Sequence, residues 1–418
     1  MSTHDTSIKP EKFILVGLAP EGLDELSELV KTSGAESIDR LVQSRERPHP
    51  ATYLGKGKVE ELSDLISLHG ATGIVCDDEL SNAQIRNLSE ALDVKVLDRT
   101  LIILDIFANN ARTAEAQAQV ELAQQRYRLS HLSGLGKSLS RLGGGIGTRG
   151  PGEKKLETDR RHIRKRIDEL NLELKDIETH RSVQRAARKK SGVFVVSLVG
   201  YTNAGKSTLM NALTEADVYA SNKLFATLDI TTRAFTLPGG ASVRLTDTVG
   251  FIDKLPHHLV KAFRATLSEL EHSDVLVHVA DSSSPECAAH VDVVGSVLGD
   301  LGVTERPMIL ALNKSDLGGA LPIPSDPYSE KTVQISAKTG AGIPTLLSQI
   351  EELLNRGRKF LKVTIPYSDG TLLDKIRNSC EISAEEYVES GVSIEFWANE
   401  EFENRVKVYS QSAPKPNA

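Results

Sequence analysis

Residues 193–213 read VFVVSLVGYTNAGKSTLMNAL, and this stretch decides the fold. The apolar run VFVVSLV has the character of a strand buried on both faces. Gly200, Tyr201, Thr202, Asn203, Ala204, Gly205, Lys206, Ser207 and Thr208 then complete the pattern G-x-x-x-x-G-K-[ST], and TLMNAL opens a helix. Strand, glycine loop and helix together make a phosphate cradle. Loop amides and the helix N-terminus face an anion, Lys206 neutralises the β- and γ-phosphates, and the Ser207 hydroxyl ligates magnesium. The pattern alone can arise by chance, but flanked by a strand and a helix it points to an α/β domain with a mostly parallel sheet.

Working outward, MILALNKSD (Met308–Asp316) is an apolar strand ending in Asn313, Lys314, Ser315 and Asp316. The Asp316 carboxylate suits guanine, whose N1–H and N2–H₂ are adjacent donors; adenine would leave it unpaired. Asn313 can bridge base and phosphate loop, and the Lys314 stem can cover the ring. Farther on, Ser336, Ala337 and Lys338 follow another strand, where the Ala337 amide can meet guanine O6. Each tripeptide or tetrapeptide is weak alone; in this order, each at a strand end, they are jointly strong.

Between the two motifs lies DTVGFIDKLPHHL, Asp247 to Leu259. Asp247, Thr248, Val249 and Gly250 form the D-x-x-G that holds a magnesium-bound water and touches the γ-phosphate, and Lys206 and Gly250 are the candidate catalytic groups. The next position often carries a glutamine that orients the attacking water. Here it is Phe251, whose side chain has no hydrogen-bonding atom. Weak intrinsic hydrolysis is therefore expected, with stabilising groups supplied in trans; equally, Phe251 can be a packing residue. Upstream, LFATLDITTR offers Thr227, Thr231 and Thr232 as candidates for a magnesium-binding threonine, and the chemistry does not choose among them. Thr232 reads as a strand residue in a hairpin around Pro238, Gly239 and Gly240.

The rest of the chain organises around this domain. Residues 1–110 alternate strands (13–17, 73–78, 94–98) and helices (23–30, 59–68, and one capped by Ser81), a small α/β subdomain. Residues 111–190 read as a helical hairpin. An Ala/Gln-rich helix runs from Ala111 to Leu132, a glycine-rich tip spans 134–152, and a second helix starts near Lys154. In that helix Ile163, Ile167, Leu170, Leu174 and Ile177 have coiled-coil spacing. The glycines of the tip are expected to exclude a regular element. Residues 191–357 form the nucleotide-binding domain, 358–408 a small α/β domain with Trp397 in its core, and 409–418 a disordered tail. Lys56 and Lys58 read as a helix entry, with RNA-backbone contact as the alternative.

The chain has 418 residues, 39% hydrophobic and 26% charged, with no apolar run of membrane-spanning length and a start unlike a secretion signal. Its three scattered cysteines suit buried thiols in a reducing cytoplasm. The net charge of −7 hides an asymmetry: from Lys137 to Lys190 there are 16 Lys and Arg against 8 Asp and Glu. A basic block on an acidic protein points to a face that meets a polyanion; a solvated charged helix is the plainer alternative. At the tip, Arg141 and Arg149 can pair with phosphates or stack on bases. Gly143, Gly144, Gly145 and Thr148 would let the backbone approach RNA closely.

GYTNAGKST, LFATLD, DTVGF, NKSD and SAK, with the upstream GGGIGTRGPGE, resemble the HflX family of translational GTPases over essentially the whole chain. Ile230 in the threonine-rich stretch is the one departure from its core motifs. The resemblance implies a P-loop GTPase domain, a Mg²⁺ cofactor, and GTP or GDP contacts that include Phe225, Ala226, Thr227, Leu228 and Asp229. It assigns the magnesium threonine to Thr227, beside Ser207 and, through water, Asp247. It also implies a cytoplasmic enzyme that binds the large ribosomal subunit through ribosomal RNA and splits or rescues stalled ribosomes under stress. A monomer without membrane insertion is expected. The competing expectation is a nucleotide-gated regulator of another protein or of ribosome assembly. An ATP-driven RNA remodeller would need an adenine-tolerant site, and the sequence has no second phosphate loop.

Overall fold

The four apolar residues Phe13 to Val16 are all buried, and they make the centre of the first strand, β1 (Lys12–Gly17). The computed structural model describes residues 10–139, 151–190, 194–214, 224–225, 231–254, 268–318, 322, 324–356, 358–398 and 400–410. Contacts divide these into two compact units. The first lies within Met1–Ile177 and also includes Leu224, Phe225, Asp253 and Lys254; the second holds the remainder from Glu178 onward.

In the first unit a four-stranded parallel sheet runs in the order β2-β1-β3-β4, with β2 (Glu36–Val42), β3 (Gly73–Cys76) and β4 (Lys95–Asp98). Parallel neighbours need crossovers, supplied here by α1 (Leu23–Thr32), α2 (Lys56–His69) and α3 (Asn82–Leu92). Ser81 caps α3 as expected: its hydroxyl accepts from Gln84 N, and the Gln84 side chain accepts from Ser81 N at 2.8 Å. Strand β2 and helix α4 (Arg99–Asn110) were not expected. Strand β2 lies at the sheet edge and buries only Leu41, so it carries almost no hydrophobic signal. Helix α4 starts directly on β4, where Asp98 turns from strand residue to N-cap and accepts from Leu101 N at 2.9 Å.

Helices α5 (Ala114–Leu139) and α6 (Pro151–Lys190) follow. Leu170 is fully buried against Ala118 and Leu122, with Ile167 and Leu174 packed beside it, so the heptad-like spacing does mark the contact face. Arg166 grips the Glu121 carboxylate with two bonds, at 2.7 and 2.6 Å. The expectation that glycine excludes regular structure from residue 134 onward is corrected, because α5 continues through Gly134 and Gly136 to Leu139. A helical glycine costs only about 1 kcal/mol relative to alanine, and an established helix absorbs that.

Ion pairs cluster past the ends of β3 and β4. Arg99 is 2% exposed; it bonds Asp77 at 2.8 Å, pairs with Glu25, and donates to the Asp253 carbonyl at 3.1 Å. Lys254 pairs with Asp77 and with Asp78. Phe225 stands edge-on to Phe107, and its carbonyl accepts from Asn110 at 2.9 Å.

The second unit contains a six-stranded sheet in the order β10-β9-β8-β5-β7-β6. Its strands are β5 (Phe194–Gly200), β6 (Thr231–Thr236), β7 (Ser242–Asp247), β8 (Val275–Asp281), β9 (Met308–Asn313) and β10 (Lys331–Gln334). All neighbours are parallel except the β6–β7 hairpin, which turns through Pro238, Gly239 and Gly240. Helices α7 (Lys206–Thr214), α8 (Cys287–Leu301) and α9 (Ile343–Leu354) accompany the sheet. This is the P-loop GTPase fold: a mostly parallel sheet with crossover helices.

A smaller antiparallel sheet, β11-β13-β12, combines β11 (Lys359–Ile365), β12 (Glu381–Val388) and β13 (Gly391–Ala398) with helices α10 (Gly370–Ser379) and α11 (Glu400–Ser410). The expectation that Trp397 lies in the core is overturned. Along β13 the buried residues are Val392, Ile394, Phe396 and Ala398, so alternation turns Trp397 to the other face, against half-exposed Phe360.

Candidate functional site

Four strands of the large sheet end at the same edge, β5 at Gly200 and three others in a polar side chain: Asp247 on β7, Asp281 on β8 and Asn313 on β9. Parallel strands bring their carboxyl ends to one side, which is where α/β sheets bind ligands. Backbone bonds draw the following loops inward. Ser282 N donates to Asn313 O, and Ile335 N to Leu312 O.

The phosphate loop is wound around its own lysine. Lys206 is 7% exposed, and its ammonium donates to Gly200 O at 3.0 Å and Tyr201 O at 2.8 Å. Burial lowers its pKa to about 8, with the Asp247 charge pulling the other way. Gly205 has φ +96°, and a Cβ there would stand 2.2 Å from Asn313 Nδ2; only glycine fits. Asn203 and Thr208 are exposed at the loop surface, while Ala204 is buried. The Tyr201 ring stacks on His290 of α8, with centroids 3.9 Å apart.

Ser207 Oγ donates to Asp247 Oδ2 at 2.8 Å, and Asp247 is fully buried. A hydroxyl and a carboxylate side by side, both hard oxygen donors, fit Mg²⁺. When bound there, the ion would be held by Ser207 and Asp247 and would supply positive charge that offsets the phosphates. Beyond Asp247, Thr248 anchors the loop by donating to Leu198 O at 2.7 Å, and Val249 is buried. Gly250 then lies against the phosphate loop, since a Cβ on it would stand 3.0 Å from Thr202 Cα and 3.1 Å from Lys206 Nζ.

The groups expected to read the base lie together. Asn313 Nδ2 donates to Ala204 O at 2.9 Å, tying this strand end to the phosphate loop. Its Oδ1 accepts from Ala337 N at 2.9 Å, so the amide expected to face guanine O6 is engaged by Asn313 here. Asp316 is exposed, and Ser336 donates to its Oδ1 at 2.6 Å; that bond above all holds its carboxyl below the usual range. Lys314 adopts φ 65° and pairs with Asp281 at 2.6 Å, which fixes its stem. Ser315 and Lys338 flank these groups on the surface.

Phe251 has a definite place. Its amide donates to Gly200 O at 3.1 Å and its carbonyl accepts from Thr202 N at 2.7 Å, a parallel bridge beside Tyr201. The side chain is 3% exposed, so it packs. Thr232 lies in β6, as its strand reading requires, and so does Thr231. Phe225 packs within the first unit. Ala226, Thr227, Leu228 and Asp229 fall outside the described residues, as do Arg141, Gly143, Gly144, Gly145, Thr148 and Arg149.

Two residues went unmarked in the sequence. Asp281 closes the apolar strand VLVHVAD, and a carboxylate at that strand end was a readable signal. His290 had none, because a histidine on a helix announces no stacking partner. Among the described residues no helix is long and apolar enough to cross a membrane.

Comparison with known proteins places these residues in a lineage. Residues 20–108 match a family model described as GTP-binding GTPase N-terminal, 110–188 one described as GTP-binding GTPase middle region, and 195–314 one described as 50S ribosome-binding GTPase. A GTPase HflX from Lacrimispora saccharolytica is 53% identical over 92% of this chain and 92% of its own. Another from Caldanaerobacter subterraneus is 48% identical over 95% and 93%. The GTPase HflX of Escherichia coli is 42% identical over 89% and 88%. With such identities over nearly the full length, and a guanine-nucleotide cradle at its strand ends, the chain belongs to the HflX family of GTPases.

Proposed function

We propose that this GTPase binds the large ribosomal subunit and, in its GTP-bound state, splits or rescues stalled ribosomes under stress. Hydrolysis is slow in the free protein and is stimulated by the ribosome. One observation carries the reading: the block from Lys137 to Lys190, with 16 Lys and Arg against 8 Asp and Glu, lies largely on the long helix α6 of a GTP-hydrolysing chain. Such an arm suits ribosomal RNA. The description of the family model over residues 195–314 supports the same partner.

On this reading the boundaries fall at 110, 190, 357 and 408, and the protein works as a cytoplasmic monomer. Lys206 holds its ammonium on the β- and γ-phosphates, and the Gly250 amide meets the γ-phosphate. Asp316 accepts from both guanine donors while Asn313, Lys314 and Ser336 hold it in place. Ser207, Thr227 and, through water, Asp247 hold Mg²⁺. Arg141, Gly143, Gly144, Gly145, Thr148 and Arg149 touch RNA. Sedimentation with purified large subunits tests the partner. Binding in a non-hydrolysable GTP analogue, with release in GDP and loss at high salt, is expected. Failure to sediment in either nucleotide would favour a regulator of another protein.

A further inference from the structure

We infer that Thr202 is a catalytic residue of the GTPase reaction, its hydroxyl contacting the γ-phosphoryl group and the attacking water. The inference rests on the GTP-site reading above and deepens it. Thr202 is 7% exposed, and its Oγ1 is buried without a hydrogen-bond partner among the described residues. Buried hydroxyls are normally satisfied, and one left open in a ligand-binding loop points to a ligand that satisfies it.

Its position says which ligand. A Cβ on Gly250 would stand 2.9 Å from Thr202 Cγ2 and 3.1 Å from Lys206 Nζ. Gly250 is therefore packed closely against the Thr202 methyl and the lysine ammonium. The backbone cannot swing away. Thr202 N is tied to Phe251 O, Phe251 N to Gly200 O, and Lys206 Nζ to the carbonyls of Gly200 and Tyr201. The Thr202 side chain, whose Oγ1 is unpartnered among the described residues, thus sits with the lysine ammonium beside the Gly250 backbone, while the Phe251 side chain is packed away.

A hydroxyl suits the task because it accepts one hydrogen bond while donating another. Thr202 accepts from the attacking water and donates to a γ-phosphoryl oxygen. The water oxygen bonds to phosphorus, and the bond to the β–γ bridging oxygen breaks with its electron pair leaving on GDP. The water proton passes to a phosphoryl oxygen, giving inorganic phosphate. Thr202 orients the water and removes no proton.

Thr202→Val keeps the shape and deletes the hydroxyl; Thr202→Ser keeps the hydroxyl and deletes the methyl. Each is compared with the parent in single-turnover hydrolysis, in GDP affinity, and in affinity for GDP with aluminium fluoride, which mimics the transferring phosphoryl group. The valine variant is expected to lose about 10–100-fold in rate and similarly in fluoride-complex affinity, with GDP affinity within about twofold. The serine variant is expected to stay within about threefold of the parent on all three readouts. Parental hydrolysis by Thr202→Val, or an equal loss in Val and Ser, would overturn the inference. Absence of GDP binding by the parent protein would instead overturn the GTP-site reading.

Discussion

Thr202 N donates to the Phe251 carbonyl at 2.7 Å, so the residue after D-x-x-G is stitched into the phosphate loop by its backbone. Where a glutamine would point at water, this chain has a ring that is 3% exposed. Restoring the usual glutamine should not restore its usual effect. Phe251→Gln would bury an amide in an apolar niche and destabilise the protein by about 1–3 kcal/mol, with no rise in basal hydrolysis. Urea unfolding and single-turnover assays measure both. A basal rate raised tenfold or more would show that the side chain reaches the water after all.

Asp316 is expected to set base specificity. In Asp316→Asn an amide donor faces the two guanine donors, so GTP affinity should fall on the order of a thousandfold. Xanthine nucleotides, with a carbonyl at that edge, should bind the variant better than GTP. Calorimetry with both nucleotides decides, and unchanged GTP affinity would refute the assignment.

Nucleotide binding should depend on pH through Lys206. Burial lowers the pKa of this lysine to about 8 in the nucleotide-free protein, and bound phosphates favour the ammonium, so the pKa rises on binding. Binding therefore takes up a proton once the free lysine deprotonates. GDP affinity is constant for this group well below pH 8 and falls as pH rises through it, approaching tenfold per unit. Guanosine, which has no phosphate, should show no such fall. Parallel pH profiles for the two ligands would contradict the role given to Lys206.

Asp77 and Arg99 form a buried pair in the first unit, 3% and 2% exposed at the side chain. Asp77→Ala leaves the guanidinium one partner short and takes a carboxylate from Lys254, so a loss of roughly 3–5 kcal/mol is expected. The urea midpoint should fall with little change in slope. A variant as stable as the parent would show that Arg99 is satisfied without Asp77.

That the motif residues of the candidate nucleotide site come together was largely legible, because they lie as contiguous motifs at strand ends, where backbone topology does the gathering. Asp316 and Ser336 are 20 residues apart in sequence, yet both follow strands of one sheet, and their 2.6 Å bond needed no long-range information beyond that. What escaped depends on partners that no local pattern announces. Strand β2 buries a single residue, α4 begins without a break from β4, and His290 meets Tyr201 only once α8 has packed. Trp397 was misplaced because residue type outweighed the strand's alternation, and the glycines of α5 misled because a helix already running past Leu132 tolerates them.

The central claim is that the large ribosomal subunit stimulates the hydrolysis that Phe251 leaves slow. Single-turnover GTP hydrolysis measured with and without saturating purified large subunits tests it most directly. We predict a slow basal rate and an increase of about 10³-fold or more with the subunits, abolished by high salt. Equal rates with and without subunits, at demonstrated GTP occupancy, would contradict it.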